Sequence, residues 1–452
     1  MKKSKFSISC FPLFYGNVII FSGIIGILAS TPGQTIGVSV FTDFLIRDLG
    51  ISRESLSIAY MIGTLTSSFI LTYAGKFFDK FGARVTSVLA GIFLGLSLFF
   101  LSEIESISNF FNNLFGFSEA TAVVFVLLVL GFFFIRFFGQ GVLTMSSRNM
   151  VMKWYEKKRG MASAIIGIAI SFGFSYSPKV FDSMIKAYTW QGTWQLLAVI
   201  VGVIFVLFAL LIFRDNPEEY GLKPDGDENK NWIKNRIWEK SKNEIKKEGK
   251  SSIKYKADKD FTLHEARSTY SFWIFNLALA LQGLYITALT FHVVDIFDAA
   301  GMPRSEAISI FLPSSVIAVT FQLVSGYLAD FIKLKYLLFV QLCGMIISMT
   351  GLWFLGAGFP IILIIAGNGI ASGLFGVLSS VTWPRFFGTK HLGEIAGFSM
   401  SWIVAASAIG PFIFSLLNDI SGSYQLSGLF FLVIATVLFI LTFKAENVNL
   451  KK

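Results

Sequence analysis

Long apolar runs separated by short polar segments dominate this sequence. Each run holds about 20 residues or more, the length that a helix needs to cross the hydrocarbon core of a bilayer. The composition agrees, because 54% of the 452 residues are apolar and only 15% are charged. The pattern predicts an all-α integral membrane protein in a lipid bilayer. Its twelve predicted spans are residues 15–43, 55–77, 83–102, 119–149, 159–178, 192–213, 270–297, 306–330, 335–356, 359–383, 393–417 and 424–443.

One polar segment is much longer than the others. Residues 214–268 are rich in Lys, Asp, Glu and Asn and separate six spans from six. We therefore predict a six-helix bundle over 1–213, a cytoplasmic linker over 214–268 and a second six-helix bundle over 269–452. Within the linker, the charged stretch Lys230–Lys256 is typical of a flexible or loosely helical tether.

The net charge is +10, and the basic residues are concentrated on one side of the predicted membrane spans. Most Lys and Arg residues fall at the N-terminus, at 76–84, at 148–159, in the linker and at the C-terminus, which lie on one side of the predicted spans. The positive-inside rule then places both termini in the cytoplasm. We expect the protein to lie in the cell membrane. Topology accounts for the basic balance, so we expect no nucleic-acid partner.

No motif for catalysis or nucleotide binding is present. Cys10 and Cys343 are the only cysteines, and the three histidines are scattered. We therefore expect no disulfide, metal site or cofactor. The sequence contains no Gly-x-x-x-x-Gly-Lys-Ser/Thr loop, so ATP is not expected to drive this protein directly, and no convergent acid–base set indicates an enzyme.

A charged loop is repeated in the two halves. Gly75-Lys-Phe-Phe-Asp79-Lys-Phe-Gly82-Ala-Arg84 follows the second span, and Gly326-Tyr-Leu-Ala-Asp330 follows the eighth. A second pair, Trp154–Gly160 and Phe386–Gly393, follows the fourth and tenth spans. Paired repeats with a substrate site at their interface are typical of secondary transporters.

The first pair of loops resembles the loop signature of the major facilitator superfamily. The resemblance implies twelve helices in two pseudo-symmetric bundles that rock about a central site. It also implies that Asp79 and Arg84 pair to hold one conformation closed. We accordingly predict gating roles for Gly75, Asp79, Arg84, Gly326 and Asp330.

Arg136 is the strongest candidate for substrate contact. It lies near the middle of the fourth span, where a buried cation is costly and is usually functional. Gln140 follows at helical spacing on the same polar face. A guanidinium offers a carboxylate two parallel hydrogen bonds, although a structural arginine that ties up carbonyl groups remains an alternative.

The first and seventh spans supply further candidates. Pro32-Gly33 interrupts the first span, and backbone freed in this way is tolerated where protein or a wet cavity satisfies it, so Gln34 and Thr35 could face the substrate. In the seventh span, an imidazole beside a carboxylate could carry a coupling proton. The candidates there are Gln282 and Tyr285 for substrate and His292 with Asp295 for protons. Asn368 and Trp402, in the tenth and eleventh spans, complete the predicted lining.

Three segments resemble the oxalate/formate-antiporter and monocarboxylate-transporter branch of the superfamily. They are Asp215-Asn-Pro-Glu-Glu-Tyr-Gly-Leu-Lys-Pro-Asp225-Gly, Phe261-Thr-Leu-His-Glu-Ala-Arg267 with Phe272-Trp273, and Leu49-Gly-Ile-Ser-Arg53 with Leu56-Ser57. The resemblance implies a small carboxylate moved by exchange or with a proton. The branch uses cations in the eighth and eleventh spans, and this chain has none there, which argues against oxalate.

The sequence therefore predicts a secondary active transporter of a small monocarboxylate, working by alternating access as a monomer. Two alternatives stay open. The first is a carrier or exporter of a neutral or zwitterionic molecule. The second is a non-transporting sensor that signals through residues 214–268.

Overall fold

The computed structural model of the protein describes residues 14–115, 120–226, 259–356 and 358–445. Cys10 and the tether Lys230–Lys256 lie outside the described residues. Within the described ranges, nine helices are long and apolar enough to cross a membrane. Two of these helices each make two passes, because a non-helical residue reverses them, at Gly82 (φ 81°) and at Thr189 (φ 66°). With the interrupted first span, the described chain makes the twelve passes that the sequence predicts.

The passes are numbered α1 to α12 in chain order. Half one comprises α1 to α6 and half two α7 to α12. Their bounds are α1, Gly16–Ala29 continued by Thr31–Gly33, Thr35–Val38, Ser39–Phe41 and Thr42–Leu49; α2, 53–81; α3, 83–102; α4, Ala120–Ile135 continued by Arg136–Leu143 and Thr144–Trp154; α5, 159–188; α6, 190–199 continued by Ile200–Phe205 and Val206–Ile212; α7, Tyr270–Ala299; α8, Phe311–Ala329; α9, Leu334–Trp353; α10, Phe359–Phe387; α11, Leu392–Ser421; and α12, Gln425–Thr442.

The predicted break in α1 is confirmed. The helix ends at Ala29, continues as a 3₁₀ turn over Thr31–Gly33, and leaves Gln34 extended (ψ 154°) before helix resumes. A Cβ atom at Gly33 would overlap the carbonyl oxygen of Ile135, so the broken backbone lies directly against α4. Glycine permits this approach, which brings the freed groups of α1 beside the middle of α4.

The middle of α4 is itself irregular. Residues Arg136–Leu143 form a π-helical segment between two α-helical ones. π-Helical turns inside α-helices occur frequently at functional sites, because the wider turn changes which side chains share a face. The irregular parts of α1 and α4 therefore meet at the centre of half one.

The two described ends of the linker are anchored to equivalent loops. The Asp225 carboxylate accepts hydrogen bonds from the backbone N–H groups of 156–158, which precede α5. The Asp260 carboxylate accepts from those of 389–390, which precede α11. Free N–H groups before a helix favour a carboxylate partner. These aspartates, like the capping box of Thr262 and Glu265, give the linker motifs a structural role.

Candidate functional site

Arg136 lies at the centre of half one with only 2% of its surface exposed. Its Nη1 donates to the Gly33 carbonyl oxygen and to Thr35 Oγ1, each at 3.2 Å. The guanidinium also lies over the Tyr60 ring, 5.2 Å from the centroid, and the Tyr60 hydroxyl donates to Thr35 Oγ1 at 3.0 Å. The break in α1 thus supplies a carbonyl oxygen and a hydroxyl to one edge of the guanidinium.

No acidic side chain within the described ranges pairs with Arg136, and its Nε has no hydrogen-bond partner. A buried cation without a counter-ion loses its hydration and regains little of it from neutral oxygens. Gln140, four residues further along α4, also has a buried Oε1 atom without a hydrogen-bond partner. The arrangement leaves a positive charge and an amide oxygen available to a ligand.

Gln34 contacts α4 at Thr144, eight residues on the C-terminal side of Arg136. Its Nε2 donates to Ser30 Oγ at 2.9 Å and to Thr144 Oγ1 at 3.1 Å, and these two hydroxyls are themselves 3.1 Å apart. This cluster joins α1 to α4 on the C-terminal side of Arg136. Together with the bond from Arg136 to Thr35, it places Gln34, Thr35 and Arg136 in one neighbourhood.

The candidates in half two lie in three different places. Gln282 Nε2 donates to Ser372 Oγ at 3.3 Å, and that hydroxyl donates to Asn368 Oδ1 at 3.4 Å, so α7 and α10 share a polar row. Tyr285 is 1% exposed and bonds to Ser348 of α9 at 3.0 Å, inside half two. Trp402 is 40% exposed and packs edge-to-face on Trp273. Gln282 and Asn368 therefore lie together, whereas Tyr285 and Trp402 lie apart from them.

His292 has a geometry that defines its tautomer. Its Nε2 lies 3.0 Å from the carbonyl oxygen of Pro411, which can only accept a hydrogen bond, so Nε2 carries the proton. Its Nδ1 has no hydrogen-bond partner and lies 3.7 Å from Asp295 Oδ2. Nδ1 is thus the unprotonated nitrogen, and it faces the Asp295 carboxylate.

The expected ion pair between Asp79 and Arg84 is absent from the described structure. The Asp79 carboxylate instead accepts from the backbone N–H groups of Gly393, at 2.7 Å, and Glu394, at 2.8 Å. The Arg84 Nε donates to the Phe213 carbonyl oxygen at 2.9 Å. Helix ends explain the difference: the free N–H groups that begin α11 attract the anion, and the free carbonyl groups that end α6 attract the cation.

The second copy of the loop makes the same contact in reverse. The Asp330 carboxylate, from half two, accepts from the N–H groups of Gly160, at 2.8 Å, and Met161, at 3.2 Å, at the start of α5 in half one. We call the end of the bundle that carries Asp79 and Asp330 the hinge end. Each half therefore holds the first turn of a helix of the other half.

Glycines allow these contacts. A Cβ atom at Gly75 would overlap the carbonyl oxygen of Gly393, and one at Gly160 would overlap that of Gly326. At both places the backbones of opposite halves touch. Together with the two carboxylate contacts, these approaches close the hinge end in this structure.

Acid is expected to favour this closure. Burial raises the pKa of Asp330 to about 6, against the lowering effect of its bonds to Gly160 and Met161. The closed state therefore retains a proton on Asp330 that an exposed aspartate would release near its ordinary pKa of about 4. The closed state consequently becomes less stable relative to the open one as the pH rises from about 4 through about 6. In a variant without Cys10 and Cys343, we expect a thiol at Ser163→Cys, 3% exposed at the interface, to label faster at pH 7 than at pH 5.

The control is Asp330→Asn, which keeps an acceptor oxygen and cannot ionise. At each pH the ratio of labelling with and without this substitution cancels the titration of the thiol itself. We expect a ratio near one at pH 5 and slower labelling of Asp330→Asn at pH 7. Faster labelling of Asp330→Asn at pH 7 would contradict the prediction.

Arg148 is the residue that sequence reasoning missed. The charge count assigns it to the basic segment 148–159, but it lies inside α4. Its Nη1 donates to Ser379 Oγ of α10 at 2.9 Å, which joins the two halves. A sequence signal existed, since Arg136, Gln140, Thr144 and Arg148 follow one another at intervals of four residues.

Two six-helix halves that meet around buried polar side chains, with repeat-related contacts closing one end, have the architecture of a secondary transporter. The chain belongs to the Major Facilitator Superfamily, whose family model matches residues 22–367. The superfamily resemblance of the charged loops is thereby confirmed. No curated protein matches this chain.

Solved structures of sugar symporters share the fold. The proton:xylose symporter XylE, bound to 6-bromo-6-deoxy-D-glucose, has a TM-score of 0.67 and 16% identity over 96% of this chain and 97% of that one. The transporter FucP in the outward conformation has a TM-score of 0.63 and 15% identity over 96% and 99% of the two chains. At these identities the likeness shows the fold alone.

Proposed function

We propose that this protein is a secondary active transporter of a small monocarboxylate, with Arg136 as the group that binds the carboxylate. The observation that carries the proposal is a buried guanidinium with no acidic partner in the described ranges and an unpartnered Nε. A carboxylate would neutralise this charge and give the free N–H an acceptor. A neutral ligand would leave the buried charge uncompensated.

The number of cations near the centre favours one negative charge on the substrate. Arg136 is the charged residue at mid-depth of α4, and the polar row of α7 and α10 consists of neutral amides and a hydroxyl. A dianion would leave one charge without a partner, which costs several kcal/mol in a dry site. The amides suit further oxygen atoms of the substrate, such as a hydroxyl or a keto group.

His292 is the proposed proton-coupling residue, with Asp295 beside it. The free Nδ1 can take up a proton, and the exposed Asp295 carboxylate, 3.7 Å away, would stabilise the charged ring. Exchange of one anion for another is the second proposed mode and needs no titrating group.

A carrier of a neutral, hydroxyl-rich molecule is the second candidate. The row of Gln282, Ser372 and Asn368 supports it, because amides and hydroxyls hydrogen-bond sugar hydroxyl groups well. The similar structures are those of a proton:xylose symporter, XylE, and a fucose:proton symporter, FucP. In this reading Arg136 would be a structural cation that holds the broken backbone of α1.

Reconstitution in liposomes separates these candidates. We expect labelled lactate, pyruvate, formate or acetate to enter proteoliposomes above the level of protein-free liposomes, and excess unlabelled carboxylate to compete. Stimulation by an inward proton gradient, lost with a protonophore, would indicate symport, and uptake only into vesicles preloaded with anion would indicate exchange. Uptake of xylose or fucose without competition by carboxylates would overturn the proposal in favour of the neutral carrier.

A further inference from the structure

Arg148 resembles Arg136 in its electrostatic situation. It lies in α4, and its Nη1 bonds to Ser379 Oγ while its buried Nε has no partner. No acidic side chain within the described ranges forms an ion pair with it. The neighbouring Lys153, on the same helix, is by contrast paired with Asp215 at 4.0 Å.

A cation in this state attracts an anion. Removing a guanidinium from water is costly unless a counter-ion and hydrogen-bond acceptors replace the lost hydration. The Ser379 hydroxyl provides one acceptor and also donates to the Gly376 carbonyl oxygen at 3.2 Å. One neutral hydroxyl satisfies one N–H group of the five that an arginine carries.

Arg148 and Arg136 are connected by a polar row on α4. Gln140 and Thr144 lie between them at intervals of four residues. In a regular α-helix such a row would turn steadily around the axis, since 3.6 residues complete a turn. The π-helical segment Arg136–Leu143 has a wider turn, so residues four or five apart stay closer to one face.

The two arginines are too far apart to share a small ligand. Twelve residues of helix rise about 18 Å, several times the length of a small monocarboxylate. They would therefore act as two separate positions, Arg136 at mid-depth and Arg148 nearer to the hinge end.

Resting on the proposed function, we propose that Arg148 forms a second anion-binding position, which holds the carboxylate on the hinge-end side of the pathway. In this structure the hinge end is closed and Ser379 of half two occupies one edge of the guanidinium. Opening the hinge end separates α10 from α4, because they belong to different halves. Arg148 then loses Ser379 and offers its N–H groups to the anion as it travels between Arg136 and the hinge-end solution.

Anion binding by the purified full-length protein in detergent tests this proposal independently of transport. The measurement is the dependence of the melting temperature on sodium lactate and on sodium nitrate at constant ionic strength, compared between wild type, Arg136→Gln, Arg148→Gln and the double variant. We expect Arg136→Gln to retain a weaker anion-dependent stabilisation that the double variant lacks. We expect Arg148→Lys, which keeps the charge, to restore part of it.

The matched control is Lys153→Gln, which removes a paired cation from the same helix. We expect it to bind anions as the wild type does. If Arg136→Gln and the double variant respond identically to both anions, Arg148 is no anion site and the inference is wrong. If Arg148 contributes but wild type moves none of the four carboxylates in liposomes, the proposed function fails while the second anion position stands.

A transport measurement resolves the sidedness. In oriented vesicles, we expect Arg148→Gln to raise the KM for lactate supplied at the hinge end by about tenfold, the effect of losing a charged hydrogen-bond donor. The KM from the opposite side should change less than about twofold. Equal changes on both sides, or a fall in kcat alone, would indicate a purely structural bridge to Ser379 and would contradict the proposal.

Discussion

Replacement of Arg136 by glutamine is expected to lower kcat/KM for a carboxylate by about a hundredfold. Removing one partner of a buried, hydrogen-bonded charge pair costs about 2–5 kcal/mol, and each 1.4 kcal/mol is about tenfold. Glutamine keeps an N–H donor for the Gly33 carbonyl oxygen and removes the charge. The change therefore tests the attraction of the anion rather than the packing of α1 against α4.

Two controls accompany the Arg136 substitution. Arg136→Lys keeps a charge without the two parallel N–H groups, so we expect an intermediate loss. Tyr60→Phe keeps the ring beside the guanidinium and removes only the hydroxyl that donates to Thr35, so we expect a smaller effect than with either arginine variant. Uptake assays at matched protein density in the vesicles would measure all three.

We do not expect the fall in kcat/KM of Arg136→Gln to result from loss of folding. A buried charge without an acidic partner in the described ranges destabilises the fold, so its removal should leave the melting temperature equal or higher. Normal carboxylate uptake by Arg136→Gln would show that this arginine is structural. Loss of sugar uptake in the same variant would support the neutral carrier.

Replacement of Gly75 by leucine is expected to stop transport by preventing closure of the hinge end. The new side chain would occupy the position of the Gly393 carbonyl oxygen, which lies on the other half. Displacing α11 also removes the acceptor contact of Asp79 with the N–H groups of Gly393 and Glu394. Alternating access requires each end to close in turn, so a half that cannot approach its partner traps one conformation.

Thiol labelling and transport measure the effect together. In the variant without Cys10 and Cys343, we expect Gly75→Leu to raise the labelling rate of Ser163→Cys at the interface by about tenfold or more and to reduce uptake at least tenfold. Loss of even one of the two charge-assisted hydrogen bonds, worth about 1.5–3 kcal/mol, corresponds to about tenfold or more. Gly160→Leu, at the repeat-related contact with Gly326, should behave in the same way.

Gly356→Leu is the matched control, because an added Cβ atom there meets, among the described residues, only the Phe354 carbonyl oxygen, at 3.9 Å. We expect wild-type labelling and uptake from it. If Gly75→Leu transports normally and labels no faster than this control, the backbone contact between Gly75 and Gly393 is not the gate.

The helices and their pairing into halves could be predicted from the sequence. Apolar runs of membrane-spanning length specify helices because a bilayer offers no partner for unsatisfied backbone groups. The Pro32-Gly33 break was equally readable, since proline removes a donor and glycine permits close approach. The position of Arg136 in mid-span follows from these local rules.

The partners of the charged residues could not be predicted. Asp79 and Arg84 are neighbours in sequence, yet each bonds to a helix end that the chain reaches more than a hundred residues later. Arg148 was counted with the basic segment 148–159, which ends in Lys157, Lys158 and Arg159. Its bond to Ser379 exists only once α4 and α10 are packed together.

The sequence by itself determined a twelve-pass helical membrane protein in two related halves, because hydrophobic length and the repeat of charged loops are local properties of the chain. Tertiary structure alone decided which end is closed, which buried cations lack a counter-ion, and that Asp79 and Asp330 hold helices of the opposite half. These features depend on distances between segments far apart in the chain. Burial in the assembled bundle then sets the energy of each charge.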